Sequence, residues 1–385
     1  MNKLIQIFLV CYVSLVLINS LLLPPINFVS IDNLLFPLAF IAVVYLYFKD
    51  LAFKWSIVIA SLSLITALTS NYFSGGISTQ EILWTLRIVK LITVGWSVYY
   101  LVNNQMRIFK SLLFFSFIGF IIINALQLLE WNFILDLYSS NQSNIDALNN
   151  SYLDGRIFGV STNPNSNALI LALFGFYFFM SNESNKYYLM LLTVALLLMT
   201  QSRTVFIAFA VSLFAAFVIK FINKGRKQLL LFLVITTISF LFIFNLKLTN
   251  LSSLFNGTAY KSNSISTRFE AINAVLDVNT LTPLFGKGKL SNIPDLIGRS
   301  IDNEYIYLYL EYGLIGLLVL LITVLFLSII ALKINKYNLG LLFIMIICGL
   351  TNLTFSNLEV SAIFILLFSA SMLNKNKVED QQQTE

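Results

Sequence analysis

The sequence predicts an all-α, polytopic membrane protein of about 12 transmembrane helices with two long outer loops, and three observations predict it. Of 385 residues, 58% are hydrophobic and only 11% are charged, whereas soluble domains carry about a quarter charged residues. Apolar runs near the length of a bilayer span, roughly 17–25 residues, recur from one end of the chain to the other. The lysines and arginines gather in alternate connections between those runs, as the positive-inside rule requires.

Taken in order, the first run is 4–23. It ends at Pro24-Pro25 without a small-residue cleavage site, so it is expected to be a helix and not a signal peptide. The next runs are 34–48, 53–70, 82–102, 111–130 and 166–180. They are followed by 187–199, 204–219, 229–246, 305–332, 339–350 and 355–373. With the N-terminus in the cytoplasm, the inner connections hold Lys49, Lys54, Arg107, Lys110, Lys186, Lys220, Lys224, Arg226 and Lys227. Lys333, Lys336, Lys375 and Lys377 complete that pattern, which places both termini inside. One transmembrane domain, 1–373, is expected, with outer loops 131–165 and 247–303 and a polar, disordered cytoplasmic tail, 374–385.

The chain has no histidine, which excludes a histidine base, a histidine-ligated metal and any Ser-His-Asp arrangement. No closely spaced Asp pair suits a divalent ion, so neither a metal nor a cofactor is expected. Cys11 and Cys348 lie inside apolar runs and indicate no disulfide framework. Nucleic acid is not an expected partner.

The second outer loop departs from the charge pattern: Lys247, Lys261, Arg268, Lys287, Lys289 and Arg299 face Glu270, Asp277, Asp295 and Asp302. Long loops translocate largely regardless of charge, so a solvated loop is one reading. The arginines carry the other. Arg203, in LLMTQSRTVFIA, sits between two apolar runs with almost no loop, and its fixed donors suit phosphate oxygens. Snorkelling to the interface is the alternative. Arg268 falls in the first turn of a short amphipathic helix, capped by Ser266 or Thr267 with Phe269, Ile272, Val275 and Leu276 as its stripe. Arg156 precedes Asn163-Pro164-Asn165, where the asparagines read as turn and cap residues. Arg87 and Lys90 lie well inside 82–102, either facing a polar cavity or paired internally. Several cations near one face of a membrane protein suit an anionic lipid headgroup, and a diphosphate held by arginines fits best.

Four stretches, GRIFGVSTNPNSNA, LLMTQSRTVFIA, STRFEAINAVLDVNTLTPLFGKG and DNEYIYLYLEYGLIGLL, cover roughly residues 155–318 in that order. With the twelve-span plan, their arrangement resembles the O-antigen polymerase and O-antigen ligase superfamily of integral-membrane glycosyltransferases. The resemblance implies glycan transfer from an undecaprenyl-diphosphate carrier at the outer side of the cell inner membrane. It implies that Arg203 and Arg268 contact the diphosphate; Arg156, Asn165, Arg299, Asn303 and the intramembrane Arg87 are expected, from their own positions, to bind substrate. It also implies a lipid-linked oligosaccharide as substrate and a chain-length regulator protein as a candidate partner. Ligases commonly open the helix after the long loop with His-Asn, where this chain has Asp302-Asn303. That departure favours a polymerase of O-antigen or capsular repeat units over a ligase.

Asp302 has two readings, a base that orients or deprotonates the acceptor hydroxyl and a helix N-cap. Glu304 suits the first turn of that helix, and Glu311 lies on the same face, expected to pair with an intramembrane cation. Gly313 and Gly316 are expected to permit close helix packing. A transporter of lipid-linked sugars is the rival reading, but transporters tend to place polar groups at the membrane midplane.

Overall fold

A computed structural model describes residues 2–23, 31–73, 79–129, 156–159, 163–181, 186–221, 284–286 and 303–371. All secondary structure among the described residues is helical. The helices are α1 (Asn2–Leu21), α2 (Ile31–Tyr47), α3 (Leu51–Phe73), α4 (Thr79–Asn104), α5 (Met106–Leu128) and α6 (Pro164–Met180). They continue as α7 (Lys186–Met199), α8 (Arg203–Phe221), α9 (Glu304–Ile334), α10 (Asn338–Gly349) and α11 (Leu358–Ser371). Each overlaps one of the expected apolar runs. The run 229–246, the amphipathic segment around Arg268 and the tail 374–385 lie outside the described residues. By length and composition four helices are able to cross a membrane, namely Lys3–Leu21, Leu51–Ser70, Met106–Leu128 and Glu304–Ile334. The other apolar helices are shorter, except the less apolar α4 with Arg87 and Lys90, so the twelve expected spans are not all reproduced.

Helices α6 and α11 form the interior. Both are apolar on every face, and both are buried along most of their length. A helix without a polar face is stable only where neighbours or lipid surround it. Here α11 packs on α4, α6 and α1, while α6 also receives α7, α8 and α10. Lipid tails are as apolar as leucine, so close packing and interhelical hydrogen bonds hold such a bundle together. Phe117 of α5 stacks on Phe174 of α6 at 4.7 Å between ring centroids. Beside that stack, the Asn167 amide donates to the Asn124 carbonyl oxygen at 2.7 Å, joining the same two helices.

Lys90 illustrates how the bundle treats an intramembrane cation. It pairs with Asp32 in the first turn of α2 and donates to the Asn33 side chain at 2.6 Å. Asn19 of α1 completes the group by donating to Asp32. Of the two readings for Lys90, internal pairing is the one realised. A charge buried at 7% exposure is kept by this partnership, which ties α1, α2 and α4 together.

Helix α9 is broken at Gly313. Its φ of 67° and ψ of −161° lie in a region that is essentially glycine's alone. The sequence reading gave Gly313 a packing role, and the structure corrects it. The break frees backbone groups, and residues 284–286 of the long loop fill it: Ile315 N–H donates to the Leu284 carbonyl at 3.2 Å. Gly286, at φ 75°, lies so close to the Glu311 carbonyl and the Gly313 nitrogen that a β-carbon would collide with them. From α3, the Ser70 hydroxyl donates to the Glu311 carbonyl. Irregular backbone at membrane depth persists only where protein satisfies it, which is the arrangement seen here. At Gly316 the Cβ position is blocked by Tyr312 and Leu308 of the same helix, so its need for glycine comes from the break and not from a neighbouring helix.

Candidate functional site

The N-termini of α6, α9 and α11 are joined at one end of the bundle by the connection 350–357, and Arg156 brings the start of α8 beside that of α6. Asn357 of that connection donates to Ser166 Oγ in the first turn of α6 at 3.2 Å, and it caps α11 by accepting from the N–H groups of Glu359 and Val360. Asn303 donates to the Leu350 carbonyl at 2.9 Å. Helix N-termini carry partial positive charge, so four of them at one end create a region that favours anions.

At the start of α9, Asn303 is the N-cap: its side-chain oxygen accepts from Tyr305 N–H at 3.0 Å and Ile306 N–H at 3.1 Å. The cap reading of Asp302 is thereby corrected, since its neighbour fills that role. Asn303 was expected in the substrate site, but both ends of its amide are engaged within the protein. Glu304 is fully buried, and its carboxylate accepts from Thr354 N–H at 2.6 Å, Ser356 N–H at 3.1 Å and the Ser356 hydroxyl at 2.5 Å. One carboxylate thus locks α9 to the 350–357 connection. The sequence reading missed this lock. The signal for it was the polar stretch TNLTFSN, 351–357, between two apolar runs, with more donors than a short turn needs. Glu311 is buried, and the Tyr307 hydroxyl bonds to it.

Arg156 is half-buried beneath the start of α6. Its Nε donates to the Thr200 carbonyl at 2.9 Å and its Nη2 to Asn165 Oδ1 at 3.1 Å. Two residues expected to bind substrate therefore bind each other. Asn163 caps α6 through Asn165 N–H at 2.9 Å, as its turn and cap reading held. Gln127 of α5 holds the strap 156–159 in place, accepting from Gly159 N–H at 2.9 Å and donating to its carbonyl at 2.8 Å.

Arg156 and Arg203 are brought to the same corner by the turn between α7 and α8. That turn is short, with Gln201 at φ 54°, and Arg203 is the first residue of α8. Its side chain is exposed and makes no ion pair among the described residues. A cation in the first turn opposes the helix dipole, so the position is mildly unfavourable for Arg203 by itself. Arg87, also exposed, stands on α4, on the other flank of α11, within electrostatic reach of Tyr307. Asp302, Arg268 and Arg299 lie outside the described residues.

Residues 188–322 match the family model described as O-antigen ligase. The likeness is to the O-antigen polymerase and ligase superfamily. The matched region runs from α7 through α8 and the long loop into α9, about a third of the chain. It contains Arg203, Arg268, Arg299, Asp302 and Asn303, whereas Arg87, Arg156, Asn165 and the residues that hold Glu304 fall outside it. No curated protein matches the chain. Members of that family are glycosyltransferase-like enzymes, and the apolar helices together with the matched region mark this chain as a membrane protein with a region similar to O-antigen ligase.

Proposed function

We propose that this chain polymerises lipid-linked oligosaccharide repeat units, transferring glycan from undecaprenyl diphosphate to an acceptor sugar hydroxyl at the outer face of the inner membrane. The observation that carries the reading is Arg203: an exposed guanidinium at a helix N-terminus, inside the family match and next to the corner fixed by Arg156. The acceptor oxygen attacks C1 of the donor sugar, the C1–O bond to the diphosphate breaks, and the acceptor proton leaves to a base. Charge builds on the departing diphosphate, and Arg203 stabilises it, with Arg268 as the second cation. Asp302 is the base. Glu304 is ruled out of that role by its geometry, because its oxygens are already filled by Thr354 and Ser356. Arg156 and Asn165 act by shaping the corner. Metal independence belongs to this reading, because the sequence has no histidine and no closely spaced Asp pair suited to a divalent ion.

A ligase of the same fold is favoured by the description of the matching family, and a polymerase by Asp302-Asn303 where ligases carry His-Asn. The test is reconstitution of the purified chain with lipid-linked repeat units. A ladder of longer lipid-linked chains supports the polymerase. Transfer only to a lipid A-core acceptor would establish the ligase, and movement of intact substrate across the bilayer without new bonds would establish a transporter.

A further inference from the structure

A cavity of about 370 Å³ lies between α3, α4, α9 and α11, apart from the Arg156–Arg203 corner. That size is within the range of about 300–1,000 Å³ typical of small-molecule sites. It is a long slot, running from Glu304 and Ser356 at one end to Asp50 and Ile334 at the other. Its walls are apolar side chains such as Leu308, Val319, Leu327, Phe364 and Ile365.

The hydroxyls in the wall do not soften that character. Ser56, Ser63, Thr66 and Thr323 donate to the Phe53, Ile59, Leu62 and Val319 carbonyls of their own helices at 2.7–2.9 Å. Ser361 does the same toward the Phe355 carbonyl at 2.9 Å. With these protons given to the backbone, the wall hydroxyls offer a ligand acceptors only, and the apolar stretches between them suit a hydrocarbon chain better than a sugar. At the Glu304 end, Arg87 immediately precedes the lining residue Ile88, and its exposed guanidinium has no ion pair among the described residues. Lys90, one turn on, is consumed by Asp32.

We propose that this cavity binds one anionic phospholipid, with an acyl chain in the slot and its phosphate on Arg87. A phosphodiester carries one charge, and one guanidinium matches it with two parallel hydrogen bonds. A diphosphate calls for more than one cation, and Arg203, assigned to it above, stands on α8, which packs on α6 and α10, away from the slot. The bound lipid is therefore a constituent of the bilayer and not the sugar carrier. Its chain completes the packing between α3–α4 and α9–α11. This site stands whether or not the chain transfers glycan.

The test uses the full-length protein, delipidated in detergent, with native mass spectrometry during titration of phosphatidylglycerol, phosphatidylcholine or undecaprenyl phosphate. One phosphatidylglycerol should be retained per chain, in preference to phosphatidylcholine. Arg87→Gln should weaken retention about tenfold, the loss expected of one charge-assisted contact. Ser63→Phe, which fills the slot from α3, should remove it. Equal binding of both phospholipids, or retention unchanged by Arg87→Gln, overturns the proposal. Displacement of phosphatidylglycerol by a lower concentration of undecaprenyl phosphate overturns it too, by assigning the slot to the carrier. Should Ser63→Phe not fold, phosphatidylglycerol with a photoreactive acyl chain is added to the wild-type protein. Crosslinks at buried Ser361 or Phe364 support the site, because bulk lipid does not reach them. Crosslinks confined to exposed helix faces overturn it.

Discussion

Replacing Glu304 tests how this fold builds its functional end. In Glu304→Ala the buried Thr354 N–H and the partly buried Ser356 N–H lose their acceptor, and alanine offers none in its place. Each donor left unsatisfied costs about 1–3 kcal/mol, so losing both costs roughly 2–6 kcal/mol. Glu304→Gln keeps one oxygen for Thr354 but turns an amide NH₂ toward Ser356, so its loss should fall between wild type and alanine. The assay is thermal and denaturant unfolding in detergent, with proteolysis of the 350–357 connection as a local readout. The alanine variant should unfold well below wild type and be cut early in that connection, and the glutamine variant should be intermediate. If both variants unfold as wild type does, the lock contributes nothing and the reasoning is wrong. If they do so while losing glycan transfer, Glu304 is a reacting group and the assignment of the base to Asp302 falls.

The other predictions concern the backbone, the site and the topology. Gly313→Ala forces a side chain into a conformation that glycine alone adopts, so it should destabilise by about 1–3 kcal/mol, measured by the same unfolding assay. Arg203→Ala should abolish long glycan chains at unchanged protein level, while Arg203→Lys keeps the charge without the fork and should restore chains only partly, read on gels of extracted polysaccharide. Asp302→Asn should yield a folded, inactive protein that still binds lipid-linked substrate, and wild-type chain lengths from it would remove the base from the mechanism. Reporter fusions after Asn150 and Thr280 should report outside the cytoplasm and fusions after Gly225 and Asn335 inside. A cytoplasmic signal at Thr280 would move the site to the other face.

Composition and periodicity alone determined that the chain is a bundle of apolar helices. Burying or surrounding some twenty apolar residues leaves the backbone no alternative to internal hydrogen bonding. Part of the motif pattern was also legible, because three of the four stretches that carry the resemblance lie inside the matched region, 188–322, while GRIFGVSTNPNSNA precedes it. Arg203 at the first turn of α8 could be placed from LLMTQSRTVFIA, since two apolar runs with no loop between them leave the arginine only the boundary. What the sequence could not decide was which polar groups are spent on the fold. Asn303 and Asp302 are adjacent and equally able to cap, and the chain direction at the start of α9 selects Asn303. Glu304 looked like a first-turn carboxylate, and its role came from Thr354 and Ser356, fifty residues away. Lys90 and Arg87 lie three residues apart on one helix, yet Asp32 and Asn33 of α2 take up the first and leave the second exposed. Gly313 read as a packing residue because sequence does not show φ, and only a loop fragment docked against it makes a broken helix tolerable. In each case the deciding partner is distant along the chain. Local pattern therefore settles which segments are helical, and tertiary contact settles which of their polar atoms remain available to a ligand.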